Sequence, residues 1–341
     1  MNKYFTALII SVAFFACSDP SISQGEVLYL RNHGNDMPAY LYGNFDSKTF
    51  IVLLHGGPGG NGLEYRSGKY AEMLEEHFAV VYWDQRGQGN SRGNNHHEQL
   101  DIDLLLDDLD KLIALLKNQY GSEISLFLYG HSWGGTYGSK YLMDKDRQDQ
   151  FKGWIESNGA HDIPKINREA ISMFLTIGQE EINRGNNVSD WQEIVDFAKG
   201  IDTTNITVDD GGQINQYGHK AEELLADKLG DDSGVFRMPV RNPCDPLSSS
   251  IAGNRTSNIL VQNGIEDIAL TDSLNRIKIP SLILSGKYDF VVPPQLGIDA
   301  SKEIDASLVV FKLYEKSGHS PMNHEATEYA NDIIEFVNRY R

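Results

Sequence analysis

The sequence Gly130-His131-Ser132-Trp133-Gly134-Gly135 contains a G-x-S-x-G pattern, in which glycines flank a serine two positions away on each side. An apolar run at residues 124–129 precedes it, and a segment of helical character follows it. This context predicts a buried strand, a sharp turn and a helix. A serine at such a turn has strained backbone geometry, and the glycines leave room for neighbouring backbone. The pattern therefore predicts that Ser132 is a nucleophile.

The same turn predicts how negative charge is stabilised beside the serine. A helix beginning just after Ser132 points its first backbone N–H groups, and the positive end of its dipole, toward the reaction centre. We therefore expect the N–H of Trp133 to form one half of an oxyanion hole. A second glycine-rich stretch, His55-Gly56-Gly57-Pro58-Gly59-Gly60, follows an early strand. We expect the N–H of Gly57 to supply the other half.

Two further residues follow predicted strands later in the chain. Strand-like apolar runs alternate with helical segments up to about residue 160, and strand character returns at 280–284 and 308–314. This alternation predicts a mostly parallel central sheet flanked by helices. Asp289 and His319 each come just after a strand, and sites form at the carboxyl ends of parallel strands. We predict a triad in which Ser132 attacks, His319 is the base and Asp289 orients the imidazole.

The alternation stops between residues 161 and 271, where polar amphipathic stretches are separated by Asn- and Gly-rich turns. We interpret this part as an inserted helical cap, with predicted helices at 166–183, 190–199 and 221–229. The core is then divided into two parts, residues 25–160 and 272–341.

Composition limits the partners that we expect. The 341 residues include 48 acidic and 30 basic residues, for a formal charge of −18, which argues against nucleic acid or an anionic membrane surface. The histidines do not follow a Cys/His or His-Glu ligand pattern, so we expect no metal and no diffusible cofactor.

The N-terminus differs from the rest of the chain. Lys3 precedes an apolar stretch at residues 4–16, which is too short to span a bilayer but suits a signal peptide. The run ending in Ala16-Cys17 resembles a bacterial lipobox. We expect a signal peptide at 1–16, a lipid on Cys17, a tether at 17–24 and a location in the bacterial cell envelope, facing the periplasm or the exterior. A plain secretory signal and a buried N-terminal helix are the alternatives.

Through five motifs, the chain resembles members of the α/β-hydrolase superfamily and, within it, of the proline iminopeptidase-like branch. They lie in residues 45–160 and 275–341 and read His-Gly-Gly-Pro-Gly (55–59), Asp-Gln-Arg-Gly-Gln-Gly-Asn-Ser (84–91), Gly-His-Ser-Trp-Gly-Gly (130–135), Gly-Lys-Tyr-Asp (286–289) and Gly-His-Ser (318–320). The resemblance implies an α/β-hydrolase fold with a helical cap. It also implies a serine hydrolase that cleaves small peptides or amides from the amino end through an acyl-enzyme.

Enzymes of that branch bind the free amino group of the substrate with glutamates of the cap. Residues 254–258, where one such acid would be expected, read Asn-Arg-Thr-Ser-Asn, so the candidates are Glu180, Glu181 and Glu193. Each of the three also fits an exposed helix position. Two other functions therefore stay open: a carboxylester hydrolase acting on small esters or lactones, and a catalytically silent binding lipoprotein.

Overall fold

One mostly parallel β-sheet lies at the centre of the computed structural model, which describes residues 25–93, 100–234 and 246–341. Cys17 and the predicted signal peptide and tether lie outside these residues. In chain order the described strands are β1 (Glu26–Asn32), β2 (Asn35–Gly43), β3 (Thr49–Leu54), β4 (Ala79–Trp83), β5 (Arg92–Gly93), β6 (Ser125–His131), β7 (Gly153–Ser157), β8 (Ser281–Gly286) and β9 (Val309–Tyr314).

The order of strands across the sheet is β1-β2-β4-β3-β6-β7-β8-β9, and the short β5 pairs with β2. Strands β4, β3, β6, β7, β8 and β9 run parallel to one another, whereas β1 and β2 form an antiparallel hairpin at one edge and β2 pairs antiparallel with β4. The predicted mostly parallel sheet is confirmed. The carboxyl ends of β6, β8 and β9 therefore lie along one edge, where their loops can meet.

Helices cover both faces of the sheet. In chain order the described helices are α1 (Gly68–His77), α2 (Ile102–Tyr120), α3 (Trp133–Leu142), α4 (Lys145–Gln148), α5 (Ile163–Arg184), α6 (Val188–Gly200), α7 (Val208–Leu224), α8 (Pro246–Gln262), α9 (Gln295–Glu303), α10 (Pro321–His324) and α11 (Ala326–Tyr340). Within the described ranges, no helix is both long enough and apolar enough to cross a bilayer.

Strand β3 shows how the sequence builds two cores. All six of its residues are buried, because side chains alternate between the two covered faces of a parallel sheet. Phe50, Val52 and Leu54 pack in the cluster that includes α2, α3 and α9. Ile51 and Leu53 pack in the cluster with α1 and α11. Burial of each large apolar side chain contributes about 1.5–3 kcal/mol, so the sheet is fixed from both sides.

Four helices among the described residues, α5 to α8, lie between β7 and β8 in the chain, and this segment is called the cap below. Helices α5, α6 and α7 share an apolar cluster that includes Phe174, Trp191 and Ile214. The predicted helix at 221–229 is wrong in its bounds, because α7 spans Val208–Leu224. Its start is fixed by Thr207, whose side chain accepts a hydrogen bond from the Asp210 N–H while the Asp210 carboxylate accepts one from the Thr207 N–H.

Candidate active site

Ser132 lies between β6 and α3, with φ 55° and ψ −121°. This backbone conformation costs on the order of 1–3 kcal/mol for a residue other than glycine and occurs mostly at functional sites. It is held by the N–H of Ser132, which donates to the carbonyl of Ser157 (3.2 Å), and by its carbonyl, which accepts from the N–H of Ala160 (2.9 Å). A Cβ at Gly134 would overlap the carbonyl of Leu54, so the turn requires glycine there.

Asp289 and His319 meet through a side-chain hydrogen bond. The Nδ1–H of His319 donates to Oδ2 of Asp289 at 2.9 Å, and the Asp289 side chain is fully buried. The other carboxylate oxygen accepts from the N–H groups of Val291 (2.9 Å) and Val292 (2.7 Å). Burial alone would lower the pKa of His319, but the charge of Asp289 and this hydrogen bond raise it above its ordinary value. The arrangement fixes the tautomer that leaves Nε2 free to act as a base.

Asn158, which the sequence patterns did not single out, also binds the buried acid. Its Nδ2–H₂ group donates to Oδ2 of Asp289 at 2.5 Å and to the carbonyl of Gly318 at 3.4 Å. Asn158 has φ 46°, a conformation that asparagine tolerates better than most residues. It follows β7, whose neighbour β8 leads to Asp289.

The two predicted oxyanion donors lie in suitable segments. Trp133 is the first residue of α3, and the first N–H groups of a helix have no intrahelical partner. Gly57 has φ 131°, a conformation that side-chain-bearing residues rarely adopt. A Cβ built on Gly56 would lie 3.2 Å from Cβ of Ser132, so the glycine-rich loop passes directly beside the serine.

A buried hydrogen-bond network joins these two segments. The indole N–H of Trp133 donates to Oε1 of Gln85 (3.1 Å), whose amide group donates to the carbonyl of His55 (3.1 Å). Nε2 of His55 accepts from the Gln85 N–H (3.3 Å), and Nδ1–H donates to the carbonyl of Gly56 (2.8 Å). Burial lowers the pKa of His55 to about 4, so the ring stays neutral and acts as a brace.

His131 links the glycine-rich loop to the loop of His319. The hydroxyl of Tyr65 accepts from the N–H of Gly56 (2.8 Å) and donates to Nδ1 of His131 (2.7 Å). The Nε2–H of His131 donates to the carbonyl of His319 at 2.8 Å. Burial, followed by the nearby His319, lowers the pKa of His131 to about 3, so its ring remains neutral.

The three cap glutamates predicted to bind an amino group lie on α5 and α6. Glu180 and Glu193 are exposed, whereas Glu181 is buried. All three carboxylates contact basic side chains of the cap: Glu180 contacts Arg184 (3.1 Å), Glu181 contacts Arg184 (2.5 Å) and Lys228 (3.3 Å), and Glu193 contacts Lys220 (2.9 Å). Binding a substrate ammonium would require these carboxylates to share or exchange their present partners.

A different cap acid, Glu222 of α7, reaches the loops that carry Asp289 and His319. Its Oε2 accepts from the backbone N–H of His319 at 3.0 Å, and its Oε1 accepts from the N–H of Phe290 at 3.2 Å. Glu222 lies inside the helix predicted at 221–229, but the sequence analysis did not single it out, because no local pattern shows that its carboxylate reaches two distant loops. Among the described residues, no group of three or more His, Cys, Asp or Glu side chains is arranged to hold a metal ion.

Comparison with known proteins identifies relatives over most of the chain. A family profile described as serine aminopeptidase, S33 (Hydrolase_4) matches residues 46–195. The chain is 26% identical over 313 residues to "Probable aminopeptidase YbaC" of Bacillus subtilis (strain 168), covering 88% of this chain and 92% of that protein. It is 26% identical over 322 residues to the proline iminopeptidase of Saccharolobus solfataricus, covering 91% and 92%. The crystal structure of VinJ superposes with a TM-score of 0.63 at 19% identity, covering 94% of this chain and all of that one.

Proposed function

We propose that the chain, which has the α/β-hydrolase fold and is similar to hydrolases over most of its length, is a serine hydrolase with Ser132, His319 and Asp289 as its triad. The hydrogen bond between His319 and the buried Asp289, at the sheet edge that also carries the strained Ser132, is the observation that supports this most strongly. A silent binding protein would have no need of this strain or of an oriented buried acid.

In the proposed reaction, Oγ of Ser132 attacks the acyl carbon while Nε2 of His319 takes its proton. Asp289 stabilises the imidazolium that forms. The N–H groups of Gly57 and Trp133 stabilise the oxyanion, and losing one such donor costs about 3–4 kcal/mol of barrier. His319 then protonates the leaving group, and an acyl-enzyme on Ser132 remains. A water deprotonated by His319 releases the acid and restores the enzyme.

We propose small peptides or amides, cleaved from the amino end, as the substrates. The names of the aminopeptidase and iminopeptidase relatives support this class. One observation favours the alternative, a carboxylester hydrolase acting on small esters or lactones. A buried ammonium needs acidic partners, yet the carboxylates of Glu180, Glu181 and Glu193 already contact Arg or Lys side chains.

A comparison of initial rates distinguishes the two substrate classes. The assay uses a proline naphthylamide with a free amino group, the same amide with its amino group acetylated, and a short-chain nitrophenyl ester. Ser132→Ala is the blank for all three. An aminopeptidase hydrolyses the free amide far faster than the acetylated one, because only the free amine makes the ionic contact. Equal turnover of both amides, together with rapid ester hydrolysis, would identify an esterase.

We also propose that the protein is held at the bacterial cell envelope by a lipid on Cys17, facing the periplasm or the exterior. The support is the lipobox-like run ahead of Cys17, which lies outside the described residues.

A further inference from the structure

Helix α7 of the cap packs against the loop that carries the catalytic acid. Gly218 lies so close to this loop that a Cβ there would be 2.8 Å from the carbonyl oxygen of Phe290. One helical turn later, the carboxylate of Glu222 accepts the N–H of Phe290 with one oxygen and the N–H of His319 with the other. One side chain of the cap therefore holds the backbone of two loops that the sequence places 29 residues apart.

The side chain of Phe290 strengthens this connection. Although Phe290 directly follows Asp289, its ring is fully buried in the apolar cluster of the cap. It stacks on Phe174 with a centroid distance of 5.8 Å and an interplanar angle of 7°, and its centroid lies 6.0 Å from that of Trp191. The acid loop is therefore fixed to the cap both by apolar packing and by the bond to Glu222.

We propose that Glu222 is a positioning residue, which aligns His319 and Asp289 by holding the backbone N–H groups of His319 and Phe290 with the two oxygens of one carboxylate. This inference rests on the proposed triad. The glutamate side chain has two acceptor oxygens and is long enough for one to accept from the N–H of Phe290 and the other from the N–H of His319. A shift of about 1 Å in a catalytic group can lower the rate roughly 100-fold. The position of α7 relative to the two loops would therefore control the rate of the chemical step.

Because Glu222 carries a charge near His319, the pH dependence of activity provides a second, independent test of the proposal. The groups that face it are Asp289 on the acid loop and His319 on the base loop, and His219 of α7 also lies near His319. Burial, followed by the charge of Asp289, raises the pKa of Glu222 to about 7. The charge of Glu222 in turn helps to raise the pKa of His319. Removing that charge should therefore lower the pKa of His319, so that activity persists to lower pH.

Three variants of the full chain test this proposal on the short-chain nitrophenyl ester. Glu222→Gln removes the charge and turns an NH₂ group toward one of the two N–H donors. Glu222→Asp keeps the charge but is too short to reach both N–H groups. Glu223→Gln changes the exposed neighbouring acid and serves as the matched control. We expect Glu222→Gln and Glu222→Asp to lower kcat roughly 10- to 100-fold with KM unchanged, and Glu223→Gln to match the wild type. Only Glu222→Gln should move the acidic limb of the pH–kcat profile to lower pH.

The proposal would be overturned if both Glu222 variants kept the wild-type kcat. If Glu222→Gln does not fold, a wild-type kcat in Glu222→Asp alone would overturn it. So would an equal loss of kcat in Glu223→Gln. Failure of the triad itself is recognised separately, because Ser132→Ala would then retain activity in the otherwise wild-type chain.

Discussion

The hydrogen bond between Asn158 and Asp289 should be measurable both as stability and as a change in pH dependence. Asn158→Ala removes a buried donor from a carboxylate, and a hydrogen bond to a charged group contributes about 1.5–3 kcal/mol. The substitution also puts alanine at φ 46°, which costs about 1–2 kcal/mol. Added together, these two contributions should lower the free energy of unfolding by about 2.5–5 kcal/mol in urea denaturation followed by tryptophan fluorescence.

Asn187→Ala is the matched control for the backbone contribution. Asn187 has φ 41° but is exposed, and its side chain donates a long hydrogen bond of 3.4 Å to the carbonyl of Leu224. This variant should therefore lose only about 1–2 kcal/mol. Equal losses in the two variants would refute a stabilising role for the bond from Asn158 to Asp289.

The same substitution should raise the pKa of His319. Without the donor from Asn158, the charge on Asp289 is less well stabilised by its surroundings and interacts more strongly with the imidazolium of His319. His319 must be neutral to act as the base, so the acidic limb of the pH–kcat/KM profile should move to higher pH in Asn158→Ala. A limb that stays in place or moves to lower pH would contradict this reasoning.

Three further predictions concern the proposed enzyme. A fluorophosphonate probe should label the wild type but not Ser132→Ala, and equal labelling would exclude Ser132 as the nucleophile. Because the charge of Asp289 raises the pKa of His319, kcat/KM should rise with pH through an apparent pKa above about 6.5, and a flat profile between pH 5 and 8 would count against His319 as the base. Cys17→Ser should release the protein from membranes with its catalysis intact, and an unmodified N-terminus at Ser18 in fresh membranes would disprove lipidation.

The sequence predicted the parts of the molecule that depend on local patterns. Apolar runs such as β3 and β6 are buried on both faces of the sheet, and such short continuous runs can be recognised without knowledge of the fold. The turn at Ser132 could also be predicted, because the glycines two residues away on each side form a recognisable pattern, although the steric need for Gly134 comes from Leu54 on a different strand.

Contacts between distant segments could not be predicted in this way. In the sequence, Asn158-Gly159 has the composition of an ordinary turn, and only the pairing of β7 with β8 brings Asn158 to Asp289, 131 residues later. The start of α7 was missed because Gly211 and Gly212 weaken its helical pattern. No local pattern shows which acids between β7 and β8 face the loops of Asp289 and His319. Of the three candidates, Glu180 and Glu193 are exposed, whereas Glu181 is buried.

The burial of Phe290 has a consequence for protein engineering. Caps are natural targets for exchange between related hydrolases, since they are inserted as one continuous piece of chain. Here the core contributes an aromatic ring to the interior of the cap, next to Phe174 and Trp191. A chimera that received a foreign cap without a matching cavity would expose this ring to water beside Asp289. Successful grafts should therefore include the segment after β8 together with the cap.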